Sequence, residues 1–272
     1  MKAFVKAIAY LLLLTFLDFF LRQGLILQLF PLPLPKNPTI FLLYSLFAGA
    51  AWFFSRRFCK REGSEFKDLG IAFDASNRTD FYIGLLVGIV LWALVSIIQA
   101  FTAGFTWELR PEISLFNILY GLLFIFVADL GTELYTRGYP LTRCKDSFGA
   151  TKAILIMTIF VGLKSYRPSL ESELLVYSIL IPALHTIFFS IIYFKTKRLG
   201  AGVGVHTGAN FVTISIFDLR SEQAGQPIPS GIFQPNTELE ALSINALQLP
   251  WVIVAGAFSI VVYFWWAKEK AS

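Results

Sequence analysis

Charge is scarce in this sequence. Of its 272 residues, only 15% are Asp, Glu, Lys or Arg, whereas 56% are hydrophobic. An ordinary soluble domain has about 25% charged residues. The apolar residues come in long runs rather than in amphipathic stripes. We therefore interpret the chain as an all-α polytopic membrane protein, a helix bundle whose immediate partner is the lipid bilayer.

Cysteine is rare, and the common catalytic signatures are missing. Cys59 and Cys144 are the only cysteines, and they lack the spacing of a metal motif. The sequence has no G-x-S-x-G, H-E-x-x-H, P-loop or dinucleotide fingerprint. Serine-hydrolase and nucleotide-driven functions therefore have no support. It also has no basic stripe with interleaved aromatic residues, so no nucleic acid is expected as a partner.

About eight membrane-spanning helices fit into a single integral membrane domain, residues 1–272. The predicted spans are residues 4–21, 39–55, 80–104, 113–131, 149–164, 174–194, 200–217 and 249–267. The fifth and seventh spans are short and carry polar residues, so they are the weakest of the eight. Between the last two spans, residues 218–248 form the longest predicted outer loop, which is either disordered or a lid.

The distribution of basic residues predicts the orientation of these spans. If the N-terminus lies in the cytoplasm, 17 of the 23 Lys and Arg residues fall on the inner side. This excess agrees with the positive-inside rule and predicts that both termini are cytoplasmic. The net charge of +5 is then mainly a topology signal.

The segment GTELYTRGY, residues 131–139, places ionisable side chains at the end of a strongly apolar run. Glu133 and Arg137 are four residues apart, so they share a helix face, and Asp129 lies one turn earlier. Charged groups in hydrocarbon are costly, so they are expected to face the protein interior or a wet cavity. They form either a buried ion pair that locks two helices or part of a functional site.

A second polar pair lies in LGAGVGVHTGANF. His206 and Asn210 have the same spacing of four, and glycines at 200, 202, 204 and 208 allow close helix packing. A histidine can bind metal or transfer protons, and an asparagine can orient it or bind an oxyanion. The alternative is a packing histidine with an interhelical hydrogen bond. For His185, the other histidine, we expect a structural hydrogen bond.

Other ionisable residues near span ends have simpler interpretations. Asp18 and Arg22 are four residues apart and are expected to form a structural ion pair near the outer interface. Lys164 ends the fifth span and is expected to extend its ammonium group toward the outer interface.

The order of these segments resembles a known family. GTELYTRGYPLTR is similar to the first motif of the CAAX-protease and bacteriocin-processing (CPBP, or abortive-infection) family, E-E-x-x-x-R followed by G. VGVHTGANF is similar to its third motif, H-x-x-x-N or H-x-x-x-D, with His206 and Asn210 in the named places. The family includes the type II CAAX prenyl proteases, which are intramembrane glutamate-dependent proteases. The resemblance covers about residues 80–217 and implies an eight-helix core with a site inside the membrane.

Two positions depart from the family pattern. Thr132 stands where the family has its first glutamate, the residue that activates water, and Glu133 and Arg137 match the second glutamate and the arginine. FVGLK, residues 160–164, stands where F-x-x-x-H is expected, so Lys164 replaces a histidine. A threonine is not a carboxylate base, and a protonated lysine offers no lone pair.

The resemblance leaves alternative functions open. An active member hydrolyses peptide bonds in a membrane-associated or prenylated-type substrate, with Glu133 as base and Arg137 orienting it. His206 then binds water or, with Glu133, a zinc ion, and Asn210 steadies the oxyanion. A catalytically degenerate member acts instead as a membrane scaffold, chaperone or immunity factor, and a Lys164–Glu133 ion pair would mark such a site. A small transporter is a third, weaker interpretation. We expect a multi-pass protein of a bacterial inner membrane.

Overall fold

The computed structural model describes residues 2–22, 36–72, 74–219, 231–238 and 242–268. Most of them are helical, and the fold is the predicted all-α bundle. Its helices are α1 (Lys2–Leu21), α2 (Lys36–Arg61), α3 (Ala75–Ala103), α4 (Leu115–Glu133), α5 (Tyr139–Phe148), α6 (Ala150–Lys164), α7 (Ser172–Thr196), α8 (Gly200–Phe211) and α9 (Ile244–Lys268). Phe66–Leu69 is a 3-10 turn, and Leu134–Gly138 and Val212–Ile216 are π-helical.

A short two-stranded sheet lies beside the helices. Strand β1 (Trp107–Leu109) pairs antiparallel with β2 (Phe233–Pro235), with Glu108 opposite Gln234. Strand β2 belongs to the predicted outer loop, so part of that loop is tied to the segment between α3 and α4. Residues 220–230 and 239–241 of the same loop lie outside the described residues.

Each of the eight predicted spans contains a helix. Within the described residues, six helical stretches are long and apolar enough to cross a membrane: Lys2–Leu21, Asn37–Arg61, Ala75–Ala103, Leu115–Phe148, Ser172–Thr196 and Ile244–Lys268. The predicted fifth and seventh spans correspond to α6, with 15 residues, and to α8, with 12 residues. Both are short for a crossing of about 20 residues, and both pack among the longer helices. The chain is thus an integral multi-pass membrane protein.

The helix that contains the fourth predicted span continues beyond residue 131, where that span ends. Helix α4 continues through the π-helical turn Leu134–Gly138 into α5, giving one 34-residue stretch, Leu115–Phe148. The prediction stopped there because Glu133 and Arg137 interrupt the apolar run. In the fold these two side chains pair with each other, so the helix continues through them. They lie in the middle of a long helix rather than at its end.

Glycine residues bring α3 and α8 into direct backbone contact. A Cβ atom on Gly84 or Gly88 of α3 would overlap carbonyl oxygens of α8, and one on Gly204 or Gly208 would overlap carbonyl oxygens of α3. Small residues at such positions allow membrane helices to approach closely. This contact fixes α8, and therefore the side chain of His206, against the rest of the bundle.

An ion-pair cluster anchors α1 at its N-terminal end. The Glu62 carboxylate, just after α2, pairs with Lys6 at 2.9 Å and with Arg143 at 2.7 Å, and accepts a hydrogen bond from the Tyr139 hydroxyl at 2.9 Å. Burial raises the pKa of Glu62, but the hydrogen bonds from Lys6 and Tyr139 and the charge of Arg143 outweigh it. The pKa is therefore lower than its usual value, and α1 is held in one position against α2 and α5.

Replacing Gly204 with alanine tests the α3–α8 contact. The added methyl group meets the Phe81 carbonyl, so the helices must separate, and we expect the free energy of unfolding to fall by about 1–3 kcal/mol. The control is Gly256→Ala in α9, where a Cβ atom meets nothing within 4 Å. Alanine there should be neutral or stabilising by about 0.5–1 kcal/mol. Unfolding in detergent micelles measures both, and equal effects would contradict the packing argument.

Candidate intramembrane site

Three ionisable side chains lie on one face of the long helix and point toward α8. Asp129, Glu133 and Arg137 are spaced by four residues, and each is at most 4% exposed. Opposite them lie His206 and Asn210 on α8. We call these five residues the α8-facing cluster. Residues that are 73 or more positions apart in sequence therefore meet in one place.

Glu133 is the centre of this cluster. Its Oε1 atom accepts a hydrogen bond from Arg137 Nη1 at 3.1 Å and lies 2.9 Å from His206 Nδ1. Its Oε2 atom is buried and has no hydrogen-bond partner among the described residues. A Cβ atom on Gly202 would lie 3.3 Å from that oxygen. The glycine therefore lets the α8 backbone come close to the carboxylate.

Arg137 is held on several sides. Besides Glu133, its guanidinium donates to the Thr136 hydroxyl at 2.7 Å and to the Thr186 hydroxyl of α7 at 3.3 Å. The same group lies 4.9 Å from the centre of the Phe189 ring, which also packs against His206 at 5.0 Å. The sequence analysis did not include Thr186 or Phe189, because neither belongs to a polar motif. Thr186 and Phe189 together hold Arg137 in place, and Arg137 balances the charge of Glu133.

Asp129 contacts both polar residues of α8. Its Oδ1 atom accepts a hydrogen bond from Asn210 Nδ2 at 2.8 Å and lies 3.5 Å from His206 Nε2. Its Oδ2 atom is buried without a partner in the described part of the chain. The expectation that Asp129 shares the face of Glu133 agrees with this geometry. His206 is thus placed between two carboxylates, one at each ring nitrogen.

A second polar group lies on the side of α4 that faces α1. The Asp18 carboxylate pairs with Arg22 and, at 2.8 Å, with the Lys164 ammonium group of α6. Arg22 also donates from Nη1 to the Thr132 hydroxyl at 2.9 Å. The Lys164 ammonium group lies 4.8 Å from the centre of the Tyr135 ring. We call Asp18, Arg22, Thr132 and Lys164 the α1-facing cluster.

Ion pairs and hydrogen bonds connect the carboxylates of the two clusters to partners. Asp18 pairs with Arg22 and Lys164, and Glu133 pairs with Arg137. Asp129 has no Lys or Arg partner among these pairs; it contacts Asn210 and His206. Asp18 is 3% exposed and Lys164 is 26% exposed as side chains. Buried charges persist only when they are paired and hydrogen-bonded, and these contacts meet that requirement for Asp18 and Glu133.

Comparison with known families matches this same part of the chain. The family model described as type II CAAX prenyl endopeptidase Rce1-like matches residues 113–212. Residues 113–212 are therefore similar to the core of the CPBP family. No curated protein matches the chain. The matched residues include all three motif positions of the α4, α6 and α8 helices, whereas α1, with Asp18 and Arg22, lies outside the match.

The two departures from the CPBP pattern both lie in the α1-facing cluster. Thr132 stands at the position of the CPBP glutamate that activates water, and its hydroxyl accepts from Arg22. Lys164 stands at the position of the CPBP histidine, and its ammonium group pairs with Asp18. Side chains from α1 therefore contact both substituted positions. The motif positions that the chain keeps, Glu133, Arg137, His206 and Asn210, belong to the α8-facing cluster.

Some expectations about individual residues were wrong. Lys164 does not pair with Glu133; its ammonium group is bound to Asp18, and its extension toward the outer interface stays a prediction. Asp18 and Arg22 do form the expected pair, but they also contact α4 and α6, which a sequence spacing of four cannot reveal. His185 has no hydrogen bond within the described residues. Its ring packs instead on Trp92, Phe188, Phe189 and Trp251.

The donor groups do not fit the zinc ion that the resemblance implies. Among the residues that the structure describes, no group of three His, Cys, Asp or Glu side chains is placed to hold a metal ion. Both ring nitrogens of His206 face carboxylate oxygens, at 2.9 Å and 3.5 Å. A structural or catalytic zinc site needs at least three protein ligands, and Lys164 supplies none.

Replacing Asp18 with asparagine tests the α1-facing cluster. The change leaves Arg22 and Lys164 without a counter-charge in a mostly buried position, and we expect a loss of about 3 kcal/mol in the free energy of unfolding. The matched control is Asp80→Asn, whose partner Arg198 is 38% exposed. That pair should contribute less than about 1 kcal/mol. Denaturant unfolding in the same detergent compares the two variants. An equal loss in the free energy of unfolding would contradict the conclusion that Asp18 stabilises the α1-facing cluster.

Proposed function

We propose that this protein is a non-hydrolytic member of its family, which holds a membrane-associated polypeptide without cutting it. The observation that supports this proposal is the α1-facing cluster. Arg22 bonds Thr132 and Asp18 bonds Lys164, at the two positions where the family motifs have a glutamate and a histidine. The chain lacks both of those groups.

The chemistry of the remaining groups supports the same conclusion. Activation of water needs a base within hydrogen-bond reach that has a free lone pair. Thr132 is not a carboxylate, and a protonated Lys164 has no lone pair. Glu133 Oε1 already contacts two charged or polar partners, Arg137 and His206. These contacts occupy Oε1 and stabilise the ionised carboxylate.

A binding role agrees with the retained parts of the core. The α8-facing cluster keeps its carboxylates, its histidine and its asparagine in a defined geometry, which a purely apolar bundle would not need. The partner is a membrane-associated protein or peptide, by analogy with the CAAX-type substrates of the family. We further place the protein in a bacterial inner membrane, with both termini in the cytoplasm by the positive-inside rule.

Peptide hydrolysis is the second candidate, and one observation favours it. Glu133 Oε2 and Asp129 Oδ2 are buried without partners among the described residues, and they belong to the two carboxylates that flank His206. Unpaired buried oxygens of this kind call for a physical explanation, and a catalytic water is one. In this case Glu133 is the base, Arg137 orients it and Asn210 steadies the oxyanion.

A prenylated CAAX peptide distinguishes the two candidates. We expect saturable binding of the fluorescent peptide to the purified protein, measured by anisotropy, and no cleavage product by mass spectrometry. The Glu133→Gln variant should likewise give no product, because the wild-type protein has no cleavage to lose. Cleavage by the wild-type protein that disappears in Glu133→Gln would support hydrolysis instead. Absence of saturable binding would contradict the holding role for this class of peptide.

Metal analysis tests the zinc ion that the resemblance implies. We expect zinc well below one equivalent in the purified protein, because both nitrogens of His206 face carboxylates rather than an open ligand position. The His206→Ala variant should have the same low content. One equivalent of zinc in the wild-type protein, lost in His206→Ala, would show that the cluster rearranges to bind metal.

A further inference from the structure

A cavity separate from the polar clusters lies among α2, α3, α4 and α8. Its volume is about 240 Å³, and none of the residues of the two clusters lines it. Most of its wall is apolar or aromatic: Trp52, Phe81, Phe126, Leu130, Leu199 and Val203. Such a wall favours a hydrocarbon chain over a polar metabolite.

The mouth of this cavity carries a free cation. Arg78 lines it and is exposed, and within the described residues its side chain forms no ion pair or hydrogen bond. Among the neighbouring charges, Arg198 pairs with Asp80 at 2.5 Å. The Asp74 carboxylate, one turn before Arg78, caps α3 by accepting from the Asn77 backbone N–H at 2.7 Å and keeps its negative charge. A ligand with a negative group would meet the Arg78 guanidinium, which no carboxylate of the described residues contacts.

Two helices begin at this same mouth. Helix α3 starts at Ala75 and α8 at Gly200, and the Asn77 side chain accepts a hydrogen bond from the Gly200 N–H at 3.1 Å. The N-terminal ends of helices carry partial positive charge. Asp74 and Asn77 already cap these two helix ends. Arg78 is therefore the group that attracts anions to the mouth, while the interior attracts hydrocarbon.

One residue that lines the cavity, Tyr82, also belongs to an exposed apolar face of α3. Tyr82 lines the cavity and is 66% exposed, and Leu86 and Val90 continue the same exposed face one and two turns later. A hydrocarbon chain can therefore pass from the bilayer into the cavity along one helix. The positive-inside rule places residues 74–80 on the cytoplasmic side, where anionic lipids are enriched.

We propose that this cavity binds one acyl chain of an anionic phospholipid whose phosphate group contacts Arg78. The apolar wall accommodates the acyl chain, and Arg78 selects the charge of the headgroup. This site does not depend on whether the polar clusters hydrolyse or hold a polypeptide. It assigns a lipid ligand to a part of the fold that the motifs do not include.

The proposed preference for an anionic headgroup is tested by comparing the binding of phosphatidylglycerol and phosphatidylcholine with identical acyl chains. We expect native mass spectrometry of the full-length protein to show preferential retention of phosphatidylglycerol, and Arg78→Gln to weaken that binding about fivefold. The control is Lys152→Gln, an exposed cation at the start of α6, which should leave the affinity unchanged. Equal retention of the two lipids, or equal losses in the two variants, would overturn the proposal in favour of diffuse surface attraction.

Photolabelling of the wild-type protein tests whether the acyl chain of the lipid enters the cavity. Phosphatidylglycerol with a diazirine in its acyl chain should label cavity residues such as Phe126, Leu130 and Val203. Labelling confined to the open face of α3, at Leu86 and Val90, would contradict insertion. This second measurement does not depend on the folding of any variant.

Discussion

A carboxylate remains ionised inside a membrane protein only when cations and hydrogen-bond donors surround it, and this requirement organises the bundle. Glu133 is fully buried, and its compensation comes from Arg137 one turn along the same helix and from His206 on α8. Because Arg137 and His206 balance the carboxylate, the helix can continue past Glu133 within the apolar bundle. The 34-residue stretch Leu115–Phe148 passes through the charged region, with a π-helical turn between Glu133 and Tyr139. Turns of this kind are rare and recur at functional sites.

His206 is positioned by backbone packing between α3 and α8, in which no polar side chain takes part. Gly84 and Gly88 on α3, and Gly204 and Gly208 on α8, allow the two backbones to touch. The side chains of α8 are thereby directed toward α4. Interhelical contacts made by small residues rely on close packing rather than on the hydrophobic effect. The geometry of the polar site therefore depends on glycines that never contact it, with Gly202 the exception beside Glu133.

Much of the fold and half of the site could be predicted from the sequence. Long apolar runs identify the helices, and a spacing of four predicts that Glu133 faces the same way as Arg137. The motif resemblance adds that His206 comes to the same place. The contacts of Lys164 with Asp18, and of Arg22 with Thr132, could not be predicted in this way. They depend on where α1 packs, and α1 lies outside the matched core. The continuation of the helix past residue 131 could not be predicted for a related reason, because a hydropathy pattern registers each charge but carries no information about its ion-pair partner.

The contact between α1 and the core has an evolutionary consequence. Lys164 in this position is tolerable only while Asp18 is present, and Arg22 contacts both Asp18 and Thr132. A lineage could not exchange any one of these residues freely without first changing another. A glutamate at 132 or a histidine at 164 would therefore require a matching change in α1, a helix that the motif does not include.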